Sequence, residues 1–135
     1  MDQFDKMFAK WQPTALSLFR FITGLLLFQY GIAKIFKFPV LPYFAKVELM
    51  SLIGVAGTLE LVLGALLVIG LFTRIVAFIC AGEMAVAYWL GHAARAHSLF
   101  PAVNGGDAAV LFCFIFLFLA AAGPGSFALS RSARI

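Results

Sequence analysis

The sequence predicts an all-α membrane protein, a bundle of four transmembrane helices with a short interfacial helix at the N-terminus. Three observations carry that reading. The 135 residues are 64% hydrophobic and 12% charged, whereas a soluble domain is about half apolar and about a quarter charged. Long apolar runs separated by short polar joints make up most of the chain. These runs lack the alternation of barrel strands, and a backbone in hydrocarbon must satisfy its own hydrogen bonds, which leaves helices. A soluble enzyme is excluded on the same grounds, and the length holds no more than one domain, 1–135.

The elements follow in order. Phe4, Met7, Phe8 and Trp11 fall on one helical face with charges between them, the pattern of a helix lying in the membrane interface. Pro13 sits where a helix can begin, and 14–36 reads as the first span, interrupted by Arg20 and ending at Lys34. It is too long, and lacks the cleavage site, for a signal peptide. Residues 37–48, with Pro39, Pro42, Lys37, Lys46 and Glu48, are too polar and too broken to cross. The second span, 49–72, is rich in Gly and Leu. Gly70 and Thr73 mark a tight joint, with Thr73 placed to cap the next helix and Arg74 to anchor it at the headgroups. The third span covers 74–91. His92 to Gly106 reads as a loop, and the last span, 107–123, is closed by Gly123-Pro124-Gly125 ahead of a basic tail with Arg131 and Arg134.

Four spans put both termini on one side of a bacterial-type inner (plasma) membrane. That side carries Lys6, Lys10, Arg74, Arg131 and Arg134 against Lys34, Lys37, Lys46 and Arg95 on the other, a margin of one that leans the termini toward the cytoplasm. The net charge of +4 is scattered singly between apolar runs, so nucleic acid is excluded as a partner. The lipid bilayer is the partner that the composition names.

Ionisable groups inside spans are costly and face a protein interior or a wet cavity. Arg20, Glu60 and Glu83 are such groups, at depths of about 9, 18 and 14 Å from the terminal side at about 1.5 Å per residue. Arg20, Gly24, Leu27, Gly31 and Lys34 share one stripe, as do Gly57, Glu60 and Gly64, and Cys80, Glu83 and Ala87. Each charge therefore lies on a face built for close approach, and an ion pair between Arg20 and a carboxylate is expected. One cation against two acids leaves an acid able to exchange a proton, as quinone chemistry requires. The competing reading is a buried ion pair that serves assembly alone.

A second polar layer lies near the opposite surface, with Gln29, Tyr30 and Lys34, then Tyr88, Trp89 and His92, then Asn104 and Asp107. Tyr88 and Trp89 read as interfacial anchors. Asp107 reads either as an acid favoured by its helix dipole or as the partner of Lys34 across the bundle. His92 and His97 do not converge as haem or metal ligands would, and Cys80 and Cys113 differ in depth by too much for a disulfide. Haem, flavin and metal motifs are absent from the sequence.

Taken in order, Gly31-x-x-Lys34, Glu60 in its Gly-rich span, Gly70 to Thr73-Arg74, Asn104-Gly105-Gly106-Asp107 and Gly123-Pro124-Gly125 resemble the DoxX family of small four-helix membrane proteins. Asp107 stands where that family commonly has Glu, and the acid often found after the final Gly is missing. The resemblance implies kinship with a subunit of a thiosulfate:quinone oxidoreductase and with membrane redox or stress-response complexes, and more widely with chaperones and cargo receptors. The leading expectation is a membrane subunit of a redox-linked complex that binds a quinone or similar lipophilic carrier. In it Arg20 stabilises negative charge, Glu60 and Glu83 exchange protons, and Lys34, Tyr30, Asp107 and Asn104 line the opposite opening. Electrons come from a partner redox subunit, and a homo-oligomer suits a bundle that buries three charges. The alternative is a non-catalytic scaffold, chaperone or assembly factor.

Overall fold

A computed structural model of the chain describes residues 2–129; the basic tail with Arg131 and Arg134 lies outside the described residues. The described part is helical: α1 (Gln3–Ala9), α2 (Gln12–Ile35), α3 (Leu52–Ile69), α4 (Thr73–Val86), α5 (Ala94–Ala96), α6 (Pro101–Asn104) and α7 (Asp107–Ala122). A 3₁₀ turn, Pro42–Phe44, lies between α2 and α3, and a π-helical stretch, Ala87–Ala93, carries α4 without a break into α5. Three helices are long and apolar enough to cross a membrane: Gln12–Ile35, Leu52–Ile69 and Thr73–Ala96. The fourth predicted span is the shorter apolar helix α7, of 16 residues.

Local chemistry sets the boundaries. Ser51 caps α3 by accepting from the Gly54 N–H at 3.1 Å, and Gly70 ends it in a left-handed conformation at φ 76°. That conformation suits glycine, and a Cβ there would also lie 2.6 Å from the Ala128 Cβ. The next helix does not begin as the sequence suggested. Phe72 takes the cap position with φ 54° and no side-chain bond, and Thr73 is already helical with its buried hydroxyl unpartnered. The turn is so tight that Thr73 falls one residue too late to cap.

The helices pack as two pairs, α2 on α3 and α4 on α7, joined by a lesser contact between α3 and α4. Glycine explains the intimacy of the first pair. A Cβ on Gly31 would lie 2.5 Å from the Leu61 nitrogen, one on Gly24 2.8 Å from that of Val68, and one on Gly64 2.8 Å from that of Phe28. Backbone thus rests on backbone, the packing that hydrocarbon favours in place of a hydrophobic driving force. Leu27, Leu67, Cys80, Phe116 and Leu119 fill the core between the pairs. Cys80 and Cys113 are both free thiols. No residue of α1 is buried against the bundle.

The α2–α3 contact yields a test. Gly31→Val should lower unfolding stability in detergent by about 1–3 kcal/mol, the usual cost of forcing atoms into a filled interface. Gly82→Ala on α4, where a Cβ would meet nothing within 4 Å, should not lower it and should raise it by up to about 1 kcal/mol through helix propensity. Equal midpoints for both variants in a thermal or denaturant scan would refute the packing argument.

Candidate functional site

Charges inside the bundle separate into two groups. In the first, Lys34 in the last turn of α2 donates to both carboxylate oxygens of Glu60 on α3, to Oε2 at 2.9 Å. The side chains are 13% and 2% exposed, so the ion pair is withdrawn from lipid and water alike. The sequence builds it with small residues. A Cβ on Gly57 would lie 2.6 Å from the Lys34 Cβ, so the lysine stem rests in a notch that only glycine leaves open. From there its ammonium reaches Glu60, which lies a turn further into the bundle on the same stripe of α3.

The connection between α2 and α3 closes over the pair. The Phe44 ring lies 5.1 Å from the Lys34 ammonium, a cation–π contact. Lys37 holds the connection in place by donating to the carbonyls of Lys34 at 2.9 Å and Val47 at 2.7 Å. Glu83 approaches from α4, half-buried and within electrostatic range of Glu60 and Lys34, with no ion pair of its own among the described residues. Three helices therefore bring one cation and two acids together, and the cation is Lys34.

Arg20 was expected in that position and is not there. It is buried, at 3% exposure, but its guanidinium serves backbone oxygens. Nε donates to the Leu67 carbonyl at 2.8 Å, while the terminal nitrogens reach the carbonyls of Val68 and Pro124. The reason is positional. The last carbonyls of a helix have no partner within it, and those of α3 lie closer to the depth of Arg20 than Glu60 does. Arg74 behaves alike: it donates to the carbonyls of Ala120, at 3.1 Å, and Ala121 at the end of α7.

The chain after α7 completes this end of the bundle. The Ser17 hydroxyl donates to the Pro124 carbonyl and accepts from the Phe127 N–H, while the Ser126 and Leu129 N–H groups reach the carbonyls of Pro13 and Ile69. Gly123-Pro124-Gly125 is thereby the start of a strap across the ends of α2 and α3.

The expected second opening does not form either. Lys34 is engaged by Glu60 and does not pair with Asp107, which is exposed in the first turn of α7 where the helix dipole favours an acid. Asn104 is committed to its own loop, donating to Tyr88 Oη at 3.1 Å and the Ser98 carbonyl at 3.0 Å and accepting from the Gly106 N–H at 2.8 Å. Tyr88 in turn donates to the Leu99 carbonyl at 2.6 Å, so it is a buried tie and not an interfacial anchor. His92 Nδ1 lies 3.3 Å from the Asn104 carbonyl. Tyr30 is half-buried on α2. Gly57 is legible in the sequence as a member of the Glu60 stripe, though not as the notch for Lys34. Phe44 is not singled out by the sequence, because it is placed by the loop fold and carries no such signal.

Removing Lys34 would strand Glu60. Lys34→Met should destabilise the protein by about 3–5 kcal/mol, the cost of breaking a buried pair from one side. The double variant Lys34→Met/Glu60→Leu should recover most of that loss, because both desolvation costs disappear together. Additive losses in a double-mutant cycle would show that the two groups do not depend on each other.

Comparison with known proteins adds kinship. The family model described as DoxX matches residues 15–93, which hold most of α2, all of α3 and α4, and the whole Lys34–Glu60–Glu83 group. A Haemophilus influenzae protein described as uncharacterized is 36% identical over 124 residues, covering 90% of this chain and 92% of that protein. No solved structure matches the chain.

Proposed function

The chain belongs to the DoxX family, and from that premise we propose that it is a membrane subunit of a redox-linked complex, holding a quinone or similar lipophilic carrier beside Lys34, Glu60 and Glu83. One observation carries the reading: a second carboxylate, Glu83, lies within electrostatic range of the Lys34–Glu60 pair and has no ion pair of its own among the described residues. A carrier whose reduction takes up protons needs such an excess of acid close by, and a lipophilic one can arrive from the bilayer between the two helix pairs. Glu83, half-buried and lacking a cation of its own, is the group to meet the carrier. Glu60 and Lys34 fix the charge against which it works. Electrons would pass to and from a partner subunit.

The same reading takes α7 as the fourth crossing of a bacterial inner membrane, with both termini in the cytoplasm and α1 lying in the interface. At about 1.5 Å per residue α7 is about 24 Å long, short of the hydrocarbon thickness of about 30 Å, so its ends are bridged by neighbouring chain. The α5–α6 segment lies at one end, and the glycine-rich strap at the other.

The scaffold reading has its own support in Arg20, a buried charge spent wholly on backbone carbonyls. The two readings part on a measurement. Protein purified from native membranes in mild detergent should contain near-stoichiometric isoprenoid quinone by mass spectrometry. Glu83→Gln should reduce retention by about tenfold or more, the loss of one hydrogen bond to a charged group. Quinone-free wild type that copurifies tightly with another protein would favour the scaffold.

A further inference from the structure

We infer that α2 is the interface of a homodimer, in which Gln29 of one chain hydrogen-bonds Gln29 of a second copy within the bilayer. The observation is a misplaced amide. Gln29 is exposed, lies about nine residues along α2 from Arg20, and so points about 180° away from the stripe of Arg20, Gly24 and Gly31 that packs on α3. Its carboxamide makes no hydrogen bond among the described residues. Thr58, the exposed hydroxyl on α3, is in a different position, because it returns its proton to the Gly54 carbonyl at 3.0 Å.

Gln29 lies six residues from the end of α2, about 9 Å from it along the axis, where hydrocarbon offers the amide no partner. A carboxamide is both donor and acceptor, so the group that satisfies it with the least asymmetry is another carboxamide across a two-fold axis. The residues around it suit that arrangement. Leu18, Ile22, Leu25 and Gln29 recur at intervals of four, three and four residues, and the three apolar ones are 63%, 45% and 45% exposed. This is the spacing of a left-handed helix pair, with a single polar side chain in an apolar seam to fix register. The opposite face of α2 is already consumed by α3, so the dimer leaves the Lys34–Glu60 pair untouched. The inference depends on α2 crossing the membrane and not on the ligand.

Cross-linking in native membranes tests it. In a chain with Cys80→Ala and Cys113→Ala, Ile22→Cys and Leu25→Cys should each oxidise to a disulfide-linked dimer on non-reducing gels, while Phe114→Cys on the exposed face of α7 should not. Gln29→Leu, which removes no hydrogen bond among the described residues, should raise the dimer dissociation constant by about 3- to 30-fold in a fluorescence-transfer titration in lipid. The inference is overturned if the α2 cysteines stay monomeric, if they trap a chain of another mass, or if Gln29→Leu associates as tightly as the wild type.

Discussion

A carboxylate at 2% exposure inside an apolar bundle has to be neutralised by its own chain, and for Glu60 that neutralisation comes from Lys34. Much of the first helix pair is arranged around this demand. The lysine stem needs the Gly57 notch, and the helices approach closely enough for contact only because Gly24, Gly31 and Gly64 carry no Cβ. Sliding α2 by one turn would leave Glu60 without its cation, so the pair fixes register even though burying two charges contributes little net stability. The connection that closes over it, with Phe44 on the ammonium and Lys37 on two carbonyls, exists only in that register.

A second demand shapes the opposite end. Helix ends leave carbonyls with no partner within the helix, and where they are buried they have to be supplied by other parts of the chain. In α3 each of the last four is supplied: Leu66 by the Gly70 and Leu71 N–H groups, Leu67 and Val68 by Arg20, and Ile69 by Leu129. In α7, Arg74 serves Ala120 and Ala121 while Gly123 serves Leu119. A planar guanidinium with several donors suits this task better than an ammonium would, which accounts for arginine here and lysine at the carboxylate. The buried cations thus divide by chemistry, the arginines to backbone and the lysine to the acid.

The hydropathy of the chain disclosed the helices well, because span-length apolar runs admit few structures. All four runs are helical, with ends within a few residues of the expected ones except where α4 runs on through its π-helical stretch to Ala96. The stripes Arg20–Lys34 and Gly57–Gly64 were also legible, since periodicity states which residues share a face. Partner choice was not. Comparing depths along the helix axis matched Arg20 with the acids and left Lys34 to Asp107, but a lysine side chain reaches about a turn from its own Cα, and helix-end carbonyls compete for arginine without leaving a trace in the residue pattern. Asn104 was misread for a related reason: its polarity was visible, but the loop that consumes it was not.

What separates a working site from a structural one in this bundle is the count of charges at its centre. Arg20 and Asn104 are matched to acceptors and donors in their own chain, as polar groups kept only for folding have to be. Glu83 breaks that pattern. It lies near a pair already complete in itself and has no ion pair of its own among the described residues. An acid held at such a place for packing alone would be better replaced by an apolar residue of the same size, because its burial returns nothing. Its presence is the observation on which the proposal of a group from outside the chain, a proton or a bound carrier, rests.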